Sequence, residues 1–168
     1  MKTTHTKLVK PVSEQGIKKA EKLIGSTFPP LLRAYYSTIA NGGVGPFGGL
    51  LGLQGGHQDD NGLNALDLVQ RWRKLPNNAW PKTLHFIAYS GDTNYFCLDL
   101  KKKGSPVFEF DASRLNFEDF KNITRKSVEK ALILKAPTFE TWLTKNAKSL
   151  LNQLLASLDL NTQVRRRS

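Results

Sequence analysis

Cysteine is almost absent from this chain: Cys97 stands alone among 168 residues. A single thiol excludes an internal disulfide and a four-cysteine zinc site. Histidine occurs only at positions 5, 57 and 85, so a metal site with three or four convergent ligands has little to draw on. No apolar run approaches the ~20 residues that a bilayer crossing needs. The opening Met1-Lys2-Thr3-Thr4-His5-Thr6-Lys7-Leu8 lacks the apolar stretch of a secretory signal. The expected location is the cytoplasm, where a lone thiol stays reduced. Acidic residues are also in short supply, 14 against 25 basic ones, for a net charge of +11.

What is present is enough for a folded domain. Hydrophobic residues make up 39% of the chain and charged residues 23%, which excludes global disorder. A chain of this length buries roughly 70% of the surface it exposes when unfolded. No internal repeat or long linker divides it, and one domain is expected. The charge is uneven. Residues 1–30 carry a net +4, residues 31–120 carry nine charges of each sign, and residues 121–168 carry a net +7. A balanced body with basic ends favours anionic partners or simply aids solubility, and says nothing of the fold.

Local patterns give the elements. Ser13 caps a first helix with Ile17, Ala20, Leu23 and Ile24 on one face, and Gly25 stops it. Pro29 and Pro30 open a second helix, which carries Leu31, Leu32, Tyr35, Tyr36 and Ile39 and ends at Asn41-Gly42-Gly43. Asp60 or Asn61 caps a third helix holding Leu63, Leu66, Val69 (or Gln70) and Trp72, which Pro76 ends. From Leu84 the apolar period changes to two. Residues 84–90, 93–100 and 106–111 read as strands joined by turns at Gly91-Asp92 and at 101–105, hence an antiparallel meander. Residues 112–130 are polar and mixed, anchored by Leu115, Phe117 and Phe120. Thr138 caps a long terminal helix that carries Trp142, Leu143, Leu150, Leu151, Leu154, Leu155 and Leu158 and ends near Asn161. The expected fold is a single α+β domain with helices over one face of the sheet. Residues 13–160 form the domain, 1–12 an N-terminal extension and 161–168 a basic tail.

Eight glycines fall within residues 42–56. Gly43-Val44-Gly45-Pro46-Phe47-Gly48 matches G-x-G-x-x-G in form only. A phosphate loop needs a strand before it, a helix after it and free N–H groups between. Here a helix precedes and Pro46 has no N–H. The glycines serve bends and a short strand at 50–53. His57-Gln58-Asp59-Asp60 sets an imidazole beside two carboxylates, and reads as a polar loop in front of a helix cap rather than a metal site. His85 falls within a strand and faces partly toward solvent. Cys97 falls within a strand and reads as a buried structural residue. Ser90-Gly91-Asp92 lacks the flanking glycines of a nucleophile elbow. No catalytic, cofactor or metal residues are assigned.

The order of these features resembles the SUKH superfamily, the Smi/Knr-like domain shared by yeast cell-wall synthesis regulators and many bacterial immunity proteins. The resemblance covers roughly residues 13–155. Three cues carry it: the helix over 31–43 with its Asn-Gly-Gly stop, the Gly91-Asp92 turn before the strand Asn94-Tyr95-Phe96-Cys97-Leu98, and Pro106-Val107-Phe108-Glu109-Phe110-Asp111. It implies an antiparallel sheet with flanking helices and a binding protein without catalysis. Bacterial members are encoded beside a polymorphic toxin and bind its toxin domain. Immunity partners of nucleases are often acidic, so a chain at +11 points to a toxin with an acidic surface or to a role outside toxin neutralisation. The alternative is a basic nucleic-acid-binding or regulatory scaffold protein. Nucleic acid is disfavoured because Lys101-Lys102-Lys103 is a turn and not a groove-reading helix. No membrane partner is expected, and the oligomeric state is open.

Three places are candidates for partner contact. Trp80 lies in a loop before the sheet, where it either meets a partner or plugs the core edge. Asp92, Asn94 and Tyr95 cluster at the hairpin turn, where they either reach a partner or build the turn. Phe47, Gln58 and Asp59 lie in the glycine-rich loop, a type of segment that often carries function.

Overall fold

The computed structural model describes residues 9–167. The segment 1–8, with His5, and Ser168 lie outside the described residues. Helix α1 spans Glu14–Ile24. Ser13 accepts a hydrogen bond from the Gly16 N–H, and Gly25 closes the helix at φ +79°, a conformation open to glycine at no steric cost. Ile17, Ala20 and Ile24 are buried. Helix α2 spans Pro30–Ala34 and runs on as a π-helical turn over Tyr35–Ile39. The Tyr36 hydroxyl donates to the Leu51 carbonyl at 2.9 Å and the Tyr35 hydroxyl to the Val44 carbonyl at 2.8 Å. These bonds pin the glycine-rich loop to the π-helical turn.

Asn41 does more than end that helix. Its Oδ1 accepts from the Leu53 N–H at 2.7 Å, and its amide donates to the Gln54 carbonyl at 3.2 Å. The loop wraps so closely that a Cβ on Gly52 or Gly56 would sit within 2.6 Å of Asn41. The expected strand at 50–53 is reduced to one bridge, Leu50 to Ala88, because the chain turns away to enclose Asn41. The cap of helix α3, Ala65–Trp72, is Asn64 and not Asp60 or Asn61. Asn64 and Asp67 form a reciprocal capping box, while Asp59 closes the preceding turn by accepting from the N–H groups of Asn61 and Leu63.

The strands are β1 (Leu84–Gly91), β2 (Asn94–Asp99), β3 (Val107–Asp111) and β4 (Leu132–Ala136), in the order β1-β2-β3-β4 and antiparallel throughout. The three-stranded meander read from the sequence gains a fourth strand, preceded by helix α4 (Arg125–Lys130). Both faces of the sheet are covered, not one. Ile87, Ala88, Phe96, Leu98 and Val107 pack under α1, α2 and the C-terminal helices. Leu84, Phe86, Tyr95, Cys97 and Phe110 pack under α3, α4 and the loops around Leu75, Trp80 and Leu115. Alternation along β2 thus sorts side chains between two cores rather than between core and water.

The C-terminal helix is two helices. α5 spans Phe139–Asn146 and α6 spans Lys148–Arg167, separated by Ala147 at φ −155°. The apolar spacing of 142, 143, 150, 151 and 154 stays in phase with one continuous helix, so periodicity does not mark the break. The last helix runs to Arg167 rather than ending near Asn161. No described helix is long and apolar enough to cross a membrane.

Candidate functional site

The β1–β2 hairpin ends at Asp92, whose φ of +51° is a left-handed conformation that an aspartate tolerates. The Tyr89 hydroxyl donates to the Asp92 carbonyl at 3.0 Å and stiffens the turn. Two clefts flank this end of the sheet, one on each face.

The first cleft, about 500 Å³, lies between α3 and the segment that follows β3. Trp72, Phe117 and Phe120 give it an aromatic wall, with Arg71, Lys74 and Asp92 at its rim. Trp72 meets Phe110 edge to face at 4.8 Å. Phe117 and Phe120 are 49% and 46% exposed. The second cleft, about 420 Å³, lies on the opposite face beside α5. Phe47 packs on Phe96 at 4.5 Å and on Trp142 at 6.0 Å, yet is itself 46% exposed. Asn94 and the ion pair of Lys135 with Glu109, 3.0 Å apart, complete its walls. Large apolar rings left half exposed beside polar rims are the usual marks of a macromolecular contact surface.

The residues singled out from the sequence divide cleanly. Phe47, Asp92 and Asn94 line these clefts. Gln58 is exposed but lines neither cleft. Trp80 is a core residue, 2% exposed, stacked nearly parallel on Phe86 at 5.0 Å. Asp59 and Tyr95 are buried together: the Tyr95 hydroxyl donates to the Asp59 carboxylate at 2.8 Å. Burial, reinforced by that carboxylate, pushes the Tyr95 hydroxyl pKa well up. Tyr95 contributes to the wall of the first cleft, but its polar atom is committed to the loop. Phe117 and Phe120, expected as anchors, instead stand half out of the core. Trp72, Lys135 and Trp142 join the clefts without having been marked. Only the two phenylalanines carried a signal, as aromatic residues in an acidic stretch without periodicity, Phe117-Glu118-Asp119-Phe120.

The titratable groups are placed for structure. His85 faces no solvent: it is fully buried against Phe28, ring centroids 5.0 Å apart. Both its ring nitrogens lack a hydrogen-bond partner among the described residues. Burial, with the Arg73 charge as a second cause, lowers its pKa to about 3, so the ring is neutral. Arg73 donates to the carbonyls of Leu23, Ile24 and Lys82 and thereby closes the C-terminus of α1. Cys97 is fully buried, and burial pushes its thiol pKa well above the ordinary value. Among the described residues, no three His, Cys, Asp or Glu side chains converge as metal ligands.

The sequence model of the SMI1 / KNR4 family (SUKH-1) matches residues 11–145. No curated protein matches the chain. The match begins just before α1 and ends within α5, so it takes in the whole sheet, the first cleft and all of the second cleft's lining but Asn146, and leaves α6 outside. On a match over most of its length, with the four-stranded antiparallel sheet and flanking helices in place, the chain belongs to the SMI1 / KNR4 family (SUKH-1).

Proposed function

We propose that this chain is an immunity protein that binds a toxin domain and neutralises it by occlusion, without catalysis. Family membership supports a binding role. The observation that carries the reading is the set of half-exposed rings at one end of the sheet, Phe47, Phe117 and Phe120, set beside two clefts. The contact surface comprises these rings with Asp92 and Asn94 and buries about 1,600 Å² in total against the partner. The net charge of +11 favours a toxin with an acidic surface. The protein would act in the cytoplasm of the cell that makes it.

The test is titration of the purified chain with the toxin domain encoded in the neighbouring reading frame. A stoichiometric complex that abolishes toxin activity is expected. Phe47→Ala should weaken it by about 2 kcal/mol, the scale of an interface hot spot. Absence of a complex would overturn the reading. So would turnover of a small substrate by the chain, abolished by one substitution.

A further inference from the structure

The sheet has two outer edges, and they are treated differently. At the outer edge of β1, Leu50 bridges Ala88 and the Leu51 N–H donates to the Ile87 carbonyl at 2.8 Å. Among the described residues, no strand lies beyond β4.

The register shows which groups β4 turns outward. The Asp111 N–H donates to the Ala131 carbonyl at 3.0 Å, so these two residues face each other as a hydrogen-bonded pair. Antiparallel alternation makes Glu109 and Ile133 the next such pair. Phe110–Leu132 and Phe108–Leu134 are then the non-bonded pairs, and the N–H and C=O of Leu132 and Leu134 point away from β3. The ladder on the other side agrees. The Asp99 N–H donates to the Pro106 carbonyl, which turns the groups of Phe108 and Phe110 toward β2. Among the described residues, the outward groups of Leu132 and Leu134 meet no partner.

Edge strands are commonly guarded by lysine or proline. Here Lys135 is drawn back over the sheet by Glu109 on β3, 3.0 Å away. No proline interrupts residues 132–136. Leu134 is 59% exposed, the most exposed of the large apolar side chains described. Donors and acceptors repeating every second residue fit the backbone of another polypeptide and do not fit a nucleic acid. Charge narrows the occupant. Residues 121–148, which contain β4 and its flanking helices, hold seven basic and two acidic side chains. A second copy of β4 would bring Lys130 and Lys135 of both chains together, whereas an acidic strand is attracted.

We propose that β4 is an acceptor edge to which an extended, acidic segment of the partner protein adds as a fifth strand. This rests on the reading of the chain as a protein-binding domain and names the edge and the chemistry of the docking segment.

The probe is an end-capped eight-residue peptide of alternating Val and Glu, titrated at millimolar concentration while amide hydrogen exchange is followed. Exchange of the Leu132 and Leu134 amides should slow at least tenfold, with Leu51 unchanged. A Val–Lys peptide and a backbone N-methylated Val–Glu peptide should bind at least tenfold more weakly. Leu134→Pro deletes an outward N–H and leaves the ladder to β3 intact, a placement that edge strands tolerate. It should keep the fold and lose at least tenfold in binding. Leu134→Asp keeps the backbone donor and should lose binding by repulsion, which preserves the test should the proline variant misfold. Overturning results are protection elsewhere or nowhere, equal binding of the Val–Lys peptide, or unchanged binding by both variants. A dimer of the free chain that Leu134→Asp dissociates would also overturn it. Wild-type affinity of both variants for the toxin domain would refute the edge and leave the immunity reading standing. A toxin domain that ignores the wild-type chain would refute that reading, while the peptide result would still decide the edge.

Discussion

β1 and β4 are the two outer strands of one sheet, and they differ in almost every respect. β1 is enclosed: Trp80 stacks on Phe86, Phe28 lies against His85, and Leu50 and Leu51 close the outer edge. β4 is short and has an open edge, with Leu134 in water. The difference teaches where the molecule invests its stability and where it leaves groups unmatched. An enclosed strand holds the fold. An open strand at the margin of a cleft is free to meet another chain.

Substitutions on the two strands, or in the residues packed on them, should therefore have unequal effects. The largest is expected at β1. Trp80→Ala removes a fully packed ring and should cost about 4 kcal/mol of unfolding free energy in urea denaturation. A small loss would mean that Trp80 is a surface contact after all. Gly56→Ala, which forces a Cβ to within 2.6 Å of Asn41 in the loop that covers β1, should cost on the order of 3 kcal/mol.

Acid should act through β1 as well. His85 is neutral in the fold with its pKa lowered to about 3, against an ordinary value of 6.5. The unfolded chain therefore binds the extra proton between those values, and stability falls as pH drops below 6.5 and on toward 3. By pH 4 this amounts to about 3 kcal/mol. His85→Leu should flatten that slope, so the variant's stability relative to wild type rises as pH falls. Parallel pH profiles would contradict the burial of a neutral ring. Tyr36→Phe leaves the Leu51 carbonyl without its donor and should cost about 1–2 kcal/mol. At β4, Leu134→Ser should change stability by no more than about 0.5 kcal/mol. A large loss there would erase the contrast between the strands.

Much of this architecture was legible in the chain. The Ser13 cap, the Gly25 stop and the buried Ile17, Ala20 and Ile24 of α1 are local signals that match the structure, whereas Leu23, expected on the same apolar face, is exposed. The alternation over residues 84–111 located three strands. β4 escaped because Leu132-Ile133-Leu134 is an unbroken apolar triplet with no period to read. The break at Ala147 escaped because the apolar residues on both sides remain in phase. Coverage of both sheet faces could have been read from β2, where Tyr95 and Cys97 alternate with Phe96 and Leu98, all apolar enough to bury.

The site was less legible, for a physical reason. Whether a loop tryptophan faces water or the core depends on neighbours far away in sequence. Trp80 rests on Phe86 and Phe110, which only the folded sheet brings beneath it. Asp59 and Tyr95 lie 36 positions apart, and only the fold joins them. Phe47 was accessible to reasoning because a ring between Pro46 and two glycines has little local structure to bury it. The cleft partners Trp72 and Trp142 serve the cores as well, so their sequence pattern reports only the helices that carry them.

The most direct measurement is amide hydrogen exchange on this chain in the presence of the proposed toxin partner. Binding at the open end of the sheet predicts slowed exchange around Asp92–Asn94, at Phe117 and Phe120, and at Leu132 and Leu134, with Leu50 and Leu51 unchanged. Protection confined to the outer surface of α1, or no complex at all, would contradict it.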